Sequence, residues 1–322
     1  MKLTFEQIKA ITVGAVRIWE TDEGVRFSKC TERQLEAWRA LGSSLGERAE
    51  ATTGVRLDFY TNSRSLELSA YGGNRFELHL NGLLTAPLPM QTLWEEGKTF
   101  EIDLSPYHQS GECRVTVIFP SHSIGILDGI CLSDGAYLRR PAYDTRLLFI
   151  GDSITQGWNS GLDSLSYAWR VTKMLNAESV IHGVGGGRFH QSVFDSIPYD
   201  PDYVIVAFGT NDFNKYVSYE ELRGHARDFL SSVAAEYKGK NLFAISPIWR
   251  ARSTTMPMGE FDVARAIIAE EAERLGFAHV DGMNLVPHLS EYFEDEWLHP
   301  NAEGFSLYAE NLVREMGFVR AY

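Results

Sequence analysis

The chain changes its pattern of hydrophobic and polar residues near its middle. Between about residues 55 and 132, apolar and polar side chains alternate in short runs such as VRLDFYT, SLELSAY, RFELHL, FEIDL and CRVTVIF. Such runs, at a spacing of roughly ten residues, are typical of the strands of an antiparallel sandwich. The turns expected between them are Gly72-Gly73-Asn74, Asn81-Gly82 and Ser110-Gly111. We therefore expect an antiparallel β-sandwich in the N-terminal part of the chain.

One stretch before these runs has a different period. Leu35, Trp38 and Leu41 recur at the spacing of a helix. This spacing favours a helical insertion at residues 31–41.

After Tyr143 the pattern becomes one of apolar runs separated by longer amphipathic stretches. It predicts strands at 146–150, 178–182, 203–208, 242–246 and 277–280, and helices at 165–175, 218–236, 260–275 and 302–316. Asn301 is the expected N-cap of the last helix. Strands and helices that alternate in this way are typical of a parallel sheet with helices on both faces. The stretch at 139–142 (RRPA) is the expected boundary, which gives domains of residues 1–141 and 142–322.

Length and composition are those of ordinary globular domains. The chain has 322 residues, and a prior of ~150 residues per domain also favours two domains. Hydrophobic residues make up 44% and charged residues 23%, which excludes a long disordered region. The formal net charge of −13 argues against a nucleic acid or an anionic membrane as a partner, because their phosphates would be repelled.

Three further features predict a cytoplasmic protein. The N-terminal sequence MKLTFEQIKAITVGAVRIWE has no uninterrupted apolar core and does not read as a secretory signal. No stretch approaches the ~18 consecutive apolar residues that a transmembrane helix needs. Cys30, Cys113 and Cys131 are odd in number and widely spaced, so they indicate neither a disulfide framework nor a metal site.

A serine and a distant histidine carry the chemical signal. The apolar run at 147–150 leads directly into GDSITQG, so Ser153 follows a predicted strand on a glycine-flanked turn. Open α/β sheets bind ligands at this edge. His299, in the sequence LHPN, can fold back onto this edge as a base. Because a serine hydroxyl needs an adjacent imidazole to become a good nucleophile, the pair predicts acyl transfer.

Four short segments of the second half form an ordered set. They are GDSITQG at 151–157, GVGGG at 183–187, GTND at 209–212 and His299-Pro300. In this order they resemble the blocks that define the SGNH hydrolase superfamily, also called GDSL-type esterases. The resemblance implies a three-layer α/β/α, flavodoxin-like domain with a five-stranded parallel sheet. The chain also looks like the branch in which a jelly-roll-like β-sandwich precedes the catalytic domain, as in several carbohydrate esterases and a few acyltransferases.

The resemblance agrees with roles that the residues themselves suggest. Ser153 would attack the acyl carbon, with its own backbone N–H directed at the developing oxyanion. Gly186, whose lack of a side chain allows a close backbone approach, and the side-chain amide of Asn211 would complete the oxyanion hole. The run of glycines leaves the position of Gly186 open by one residue.

The third member of the triad departs from the family pattern. The family usually has an aspartate three residues before the histidine, where it orients the imidazole. That position is Glu296 here, and Asp295 precedes it. We expect the triad Ser153–His299–Glu296 with Asp295 as the substitute. A backbone carbonyl that orients His299 is the third alternative.

Four other residues are candidates for substrate contacts. Asp152 and Trp158 flank the nucleophile turn, and Trp249 and Arg250 follow the fourth predicted strand. Each has a simpler reading as a turn former, as core packing or as a solvated charge. Neither a metal-ligand cluster nor a dinucleotide fingerprint occurs in the sequence, so we expect no metal and no cofactor.

We therefore expect a serine esterase that removes short acyl groups, above all acetyl, from a carbohydrate or another hydroxylated small molecule. The alternatives are an acyltransferase that uses the same acyl-enzyme and a carbohydrate-binding protein with an inactive hydrolase domain. A lipase for long chains is less favoured, because no amphipathic lid is evident. The sandwich edges could also mediate self-association into a homo-oligomer, whose size one chain does not define.

Overall fold

The structure is a computed structural model that describes residues 1–72, 75–85 and 98–318. The chain divides into two compact units. The first contains Met1–Thr31 and Glu50–Tyr143, and the second contains Glu32–Ala49 and the chain from Asp144 onward. The expected division at residue 141 therefore differs from the compact units in one main respect, because residues 32–49 belong to the second unit.

The first unit begins with helix α1 (Phe5–Ile11), which the sequence patterns had not indicated. Thr4 caps this helix by accepting a hydrogen bond from the Gln7 N–H, and the Gln7 side chain accepts the Thr4 N–H in return. The strands that the described residues of this unit form are β1 (Thr12–Val13), β2 (Arg17–Thr21), β3 (Gly24–Ser28), β4 (Arg56–Thr61), β5 (Ser65–Tyr71), β6 (Glu77–Leu80), β7 (Leu83–Leu84), β8 (Lys98–Asp103), β9 (Cys113–Ile118) and β10 (Ile126–Leu132).

Within the described ranges these strands form two antiparallel sheets, with the orders β1-β4-β9-β6-β7 and β2-β3-β10-β5-β8. Alternate residues of β5, such as Leu66 and Leu68, are buried in one apolar cluster with Leu57 and Phe59 of β4, which belongs to the other sheet. The period-two pattern thus places one face of each sheet in a shared core. The predicted antiparallel β-sandwich is confirmed.

The turns agree with the sequence where they are described. Asn81 and Gly82 join β6 to β7, and both have positive φ angles. Two consecutive residues of this kind form the primed turn that suits the twist of a hairpin. Gly73 and Asn74 of another expected turn lie outside the described residues.

The second unit contains eight helices within its described residues, and two of them precede the sandwich strand β4 in sequence. They are α2 (Glu32–Leu41), α3 (Ser43–Glu50), α4 (Ser153–Gln156), α5 (Tyr167–Met174), α6 (Thr210–Lys215), α7 (Tyr219–Glu236), α8 (Phe261–Arg274) and α9 (Ala302–Glu315). The helix predicted at 31–41 is confirmed as α2. Asn301 caps α9 as expected, because its side-chain oxygen accepts the N–H groups of Glu303 and Gly304.

The strands of this unit lie among those helices. They are β11 (Thr145–Gly151), β12 (Ala177–Gly183), β13 (Tyr203–Ala207), β14 (Asn241–Ile245), the short hairpin strands β15 (Thr255–Met256) and β16 (Gly259–Glu260), and β17 (Ala278–Val280). In the described part of the unit, five of them form a parallel sheet in the order β12-β11-β13-β14-β17. This is the flavodoxin-like order, so the predicted three-layer fold is confirmed.

The order of strands determines where a ligand can bind. The chain runs from β11 outward to β12 and then returns to the other side of β11 as β13. In open α/β sheets the crevice at the carboxyl ends of the strands beside such a reversal is the binding position. The residues after β11 and β13 are therefore the first place to look for a site.

Two smaller observations complete the fold. Over the described ranges, no helix is both long enough and apolar enough to span a bilayer. Cys30, Cys113 and Cys131 are all free thiols.

Candidate active site

The turn between β11 and α4 presents Ser153 at the edge of the sheet. Asp152 caps the one-turn helix, since its side chain accepts the N–H of Ile154 at 3.0 Å. A side chain at Gly151 would place its Cβ only 2.1 Å from the Thr155 hydroxyl oxygen. Gly157 ends the helix in a left-handed conformation. The glycines of the sequence GDSITQG thus permit a tight turn that holds the serine at the start of the helix.

His299 lies directly against this serine. The Ser153 Oγ is 2.9 Å from the His299 Nε2, and the His299 Nδ1 is 2.6 Å from the Asp295 Oδ2. With Nδ1–H donating to the carboxylate, Nε2 is left to accept the hydroxyl proton of Ser153. This is the relay of hydroxyl, imidazole and carboxylate on which serine hydrolases depend.

The carboxylate in the relay belongs to Asp295, which corrects the expectation for Glu296. The other oxygen of Asp295 accepts the backbone N–H groups of Trp297, Leu298 and His299 at 3.1, 2.8 and 3.0 Å. Glu296 has a left-handed φ of 64°, and in the described structure it forms no hydrogen bond with His299. The sequence DEWLH has one more residue between aspartate and histidine than the family pattern, and the loop accommodates it by winding around the Asp295 carboxylate.

These contacts keep Asp295 ionised. Burial alone would raise its pKa, but hydrogen bonds from the N–H groups of Leu298 and His299 and from the His299 side chain outweigh burial and lower the pKa below its ordinary value. A carboxylate that remains negative at neutral pH can stabilise the imidazolium that forms when His299 accepts a proton.

The glycine run at residues 183–187 follows β12, and most of its backbone N–H groups are already engaged. Gly185 donates its N–H to the Gln156 Oε1 at 2.7 Å, and Gly187 donates to the Val184 carbonyl at 2.8 Å. These two hydrogen bonds fix the turn, and they exclude Gly185 and Gly187 as free donors to a substrate.

Gly186 is the remaining donor in this turn. Its φ is 79°, a conformation that glycine adopts without strain. Within the described residues, the N–H groups of Gly186 and Ser153 have no hydrogen-bond partner. The sequence left the oxyanion glycine uncertain by one residue, and the structure favours Gly186. Gly186 and Ser153 are then the backbone donors for an oxyanion.

Asn211 lies in the first turn of α6, immediately beyond β13. Its amide nitrogen donates to the Asp152 Oδ2 at 3.2 Å and to the Gly187 carbonyl at 3.1 Å. Both protons of the amide are therefore engaged in this state, and one of them must be released or shared before Asn211 can serve as a third donor.

Asp152 is buried beneath the nucleophile turn, which differs from the exposed substrate contact expected for it. Its side chain is only 2% exposed. Burial raises its pKa to about 7, against the opposing effect of hydrogen bonds from Ile154 and Asn211. This one carboxyl group thus orients both the nucleophile helix and the Asn211 amide.

The three remaining candidates lie in different surroundings. Trp158 is 37% exposed, and its ring centroid is 6.5 Å from that of His299, so it borders the reacting groups. Trp249 stacks on His288 and packs against Phe293 of the core. That position makes Trp249 a packing residue, contrary to the expectation of a substrate contact.

Arg250 is buried among aromatic rings, which also differs from the expected place at the pocket mouth. It is 3% exposed, and its guanidinium lies 5.0 to 5.6 Å from the ring centroids of Phe213, Phe261 and Trp297. It donates to the Asn214 side chain at 3.2 Å. Burial lowers its pKa to about 10.

Sequence reasoning missed Arg48 of α3. Its Nη1 donates to the Gly185 carbonyl at 2.9 Å, and its guanidinium lies 5.7 Å from the centroid of the Trp158 ring. No sequence signal marks this arginine, because it precedes the glycine turn by 137 residues and lies in the part of the chain that otherwise carries sandwich patterns.

A cluster suited to a metal ion is not found in the described residues. No group of three or more His, Cys, Asp or Glu side chains is arranged to hold one.

Comparison with known families identifies the family of the segment that contains the site. Residues 149–307 match the family model of the GDSL-like lipase/acylhydrolase family. Residues 149–307 therefore belong to the GDSL-like lipase/acylhydrolase family. This segment contains Ser153, the glycine turn, Asn211, Asp295 and His299. Family membership and the geometry of the relay together make this GDSL-type protein a serine hydrolase.

Solved structures share the fold over almost the whole chain at low identity. The salicylyl-acyltransferase SsfX3 from a tetracycline biosynthetic pathway matches with a TM-score of 0.82 and 18% identity, over 95% of this chain and 93% of that chain. A protein described as a GDSL-like lipase, from Bacteroides ovatus, matches with a TM-score of 0.73 and 16% identity, over 99% and 98%. A family two carbohydrate esterase from Cellvibrio japonicus matches with a TM-score of 0.66 and 17% identity, over 96% of each chain.

These matches extend beyond the hydrolase segment and cover the antiparallel sandwich as well. They establish a shared two-part architecture for this GDSL-type chain. A search of curated protein sequences gave no match.

Proposed function

We propose that this chain hydrolyses short-chain acyl esters, above all acetyl esters, of a carbohydrate or a related hydroxylated small molecule. The observation that carries the proposal is the unbroken relay from the Ser153 Oγ through His299 to the Asp295 carboxylate. The site also contains two backbone N–H groups, those of Ser153 and Gly186, that can donate hydrogen bonds to an oxyanion.

The relay and these donors define a two-step mechanism. Ser153 Oγ attacks the acyl carbon while its proton passes to His299 Nε2, and Asp295 stabilises the resulting imidazolium. The oxyanion receives hydrogen bonds from the N–H groups of Ser153 and Gly186 and from the Asn211 amide. His299 then protonates the leaving alcohol. In the second step His299 takes a proton from water as the water oxygen attacks the acyl carbon, and it then returns this proton to the Ser153 Oγ as the bond to the acyl group breaks and the acid is released.

The surroundings of the glycine turn support a small acyl group. A Cβ built at Gly186 would lie 3.0 Å from the Arg48 Nη1 and 3.3 Å from the Leu45 Cδ2. Side chains of α3 therefore lie close to the oxyanion donor, which is the feature that favours a small acyl group in this proposal.

Support for a carbohydrate alcohol comes from the exposed ring of Trp158 and from the architecture. An exposed aromatic face next to the nucleophile can pack against the apolar face of a sugar ring. The family two carbohydrate esterase of Cellvibrio japonicus has the same two-part fold.

An acyltransferase is the second candidate, and one observation favours it. The structure that matches with a TM-score of 0.82 carries the name of a salicylyl-acyltransferase. The same acyl-Ser153 intermediate would pass its acyl group to an alcohol in place of water. Product analysis in the presence of an acetylated donor and a sugar acceptor distinguishes the two, because transfer yields a new ester and hydrolysis yields only free acid.

The first experiment measures initial rates on p-nitrophenyl acetate, butyrate and octanoate. We expect the highest kcat/KM on acetate, and we expect Ser153→Ala to lower kcat by at least ~10⁴-fold without a change in Tm. The matched control is Ser232→Ala, a half-buried serine on α7 whose hydroxyl bonds only to its own helix and to the Gln191 amide. A preference for octanoate would contradict the short-chain assignment. Equal rates for the wild type and Ser153→Ala would contradict the catalytic role of Ser153.

A further inference from the structure

The peptide bond between Gly185 and Gly186 has hydrogen-bonding groups on both of its edges. The Gly185 carbonyl accepts a hydrogen bond from the Arg48 Nη1 at 2.9 Å. The Gly186 N–H belongs to the same planar unit and points in the opposite direction, as in every trans peptide. Whatever holds the carbonyl therefore also determines the direction of the N–H.

The local sequence gives this peptide little preference for one orientation of its plane. Glycine lies on both sides of it, so it could rotate by about half a turn at low conformational cost. Such a rotation would place the carbonyl oxygen where the oxyanion donor is needed and would repel the developing negative charge. The Gly185 N–H donates to the Gln156 Oε1, and the Gly187 N–H donates to the Val184 carbonyl. These two hydrogen bonds fix the peptides on either side. Neither of them acts on the peptide that joins Gly185 to Gly186.

We propose that Arg48 is a positioning residue for the oxyanion hole. Its guanidinium holds the Gly185 carbonyl on the side away from the nucleophile and so directs the Gly186 N–H toward the acyl carbonyl. The positive charge also polarises the peptide and makes its N–H a stronger donor. The inference rests on the proposed function, because it assigns a role in the same oxyanion hole.

Contacts within the second unit hold Arg48 in place. It lies in the last turn of α3, and its guanidinium also faces the Trp158 ring at 5.7 Å. The α3 side chain Leu45 packs on the same turn, 3.3 Å from the position that a Gly186 Cβ would occupy. The helix is therefore anchored on the glycine turn by an apolar contact as well as by the hydrogen bond.

Three variants test the proposal in steady-state kinetics with p-nitrophenyl acetate. Arg48→Ala should lower kcat roughly 30-fold while KM changes less than about threefold, because an oxyanion donor acts mainly on the transition state. Arg48→Lys should recover most of the lost kcat, since its ammonium can still reach the carbonyl. Arg33→Ala is the matched control from the same inserted segment, where the guanidinium is exposed and pairs with Asp195, and its kcat should equal that of the wild type.

Chemical rescue separates positioning from a general structural role. Millimolar guanidinium should restore part of the kcat of Arg48→Ala and should have no effect on Arg33→Ala or on the wild type. Should Arg48→Ala be poorly folded, the Lys variant and the rescue of Arg48→Gln decide the question.

The outcomes distinguish this proposal from the proposed function. An active wild type and an inactive Ser153→Ala, together with a kcat of Arg48→Ala within twofold of the wild type, would overturn the role of Arg48 and leave the esterase intact. A raised KM with unchanged kcat would also overturn it, since Arg48 would then contact the substrate. A wild type inactive on every ester would contradict the esterase itself.

Discussion

Asp58 in the β-sandwich and Asp212 in the hydrolase unit are 1% and 0% exposed, yet their surroundings differ completely. Asp58 accepts two hydrogen bonds from the Arg114 guanidinium at 2.8 and 2.7 Å and one from the Tyr143 hydroxyl at 2.8 Å. Burial opposes its ionisation, but Arg114 and Arg56 outweigh burial and lower its pKa. The sandwich thus buries a carboxylate together with its counter-charges.

Asp212 forms no such ion pair among the described residues, although the nearby charge of Arg188 acts to lower its pKa. One of its oxygens accepts the Phe189 N–H at 2.9 Å, and the other, among the described residues, has no hydrogen-bond partner. Burial raises its pKa to about 7, and the nearby charge of Asp152 adds to the effect.

Within the described ranges, the two buried carboxyl groups differ in whether a cation pairs with them, and the unpaired one lies in the unit that contains the candidate active site. Buried carboxyl groups that form no direct ion pair among the described residues occur beside Ser153 and Asn211, where their hydrogen bonds orient catalytic groups. Sites of this kind reduce the stability of the fold in return for a fixed geometry. In the sandwich Asp58 is instead paired with the Arg114 guanidinium and the Tyr143 hydroxyl.

The largest effect is expected for the third carboxylate, Asp295, whose backbone donors take the place of a cation. Asp295→Asn should lower kcat by about 10⁴-fold, because the amide would favour the wrong imidazole tautomer. Glu296→Gln is the matched control on the adjacent residue, and its kcat should remain within about threefold of the wild type. Both are measured on p-nitrophenyl acetate. The opposite ranking would restore Glu296 as the third member of the relay.

The next effect concerns the paired carboxylate. Asp58→Asn should destabilise the protein by about 3 kcal/mol, since it leaves Arg56 and Arg114 without their buried partner. Chemical denaturation measures this change. Asp128→Asn, an exposed position on β10, is the control and should change the free energy of unfolding by less than ~0.5 kcal/mol. The kcat of folded Asp58→Asn should be unchanged, and a large loss of kcat would mean that the sandwich residue contributes to catalysis.

The smallest expected effect is on the pH dependence of the protein's stability. Because the folded pKa of Asp212 is raised from 3.8 to about 7, the folded state retains a proton that the unfolded state has released, and its contribution to stability falls as pH rises through that window. Asp58 has a lowered pKa, so its contribution is instead lost as pH falls below the ordinary value. Asp212→Asn should therefore flatten the decline of Tm between about pH 4 and pH 7. An unchanged slope would show that the carboxyl group does not titrate as its burial implies.

The sequence was sufficient where local pattern determines structure. The alternation in SLELSAY predicted β5, the apolar run before GDS predicted β11, and Asn301 predicted the start of α9. Ser153, His299 and Asn211 were found because each follows a strand or belongs to a recognisable block.

The remaining parts of the site depend on tertiary geometry. Whether Asp295 or Glu296 bonds to His299 depends on the conformation of the loop, in which Glu296 is left-handed. No residue pattern predicts that conformation. Arg48 resembles any charged residue on a helix until the fold brings α3 to the glycine turn. Arg250 and Trp249 follow a strand, as a pocket residue would, but Arg250 is buried among aromatic rings and Trp249 packs against Phe293.

The position of α2 and α3 in the chain also affects how the protein can assemble during synthesis. These helices leave the ribosome before β4, whereas the strand β11 and the glycine turn follow only after Tyr143. The sandwich can be completed while Trp38 and Leu45 still lack the glycine turn that they contact in the finished unit. N-terminal units generally fold first during translation. The helices α2 and α3 must therefore wait for the rest of the hydrolase unit to be synthesised before they can pack in it. A fragment that begins at Asp144 would retain every motif of the family and lack the helix that carries Arg48.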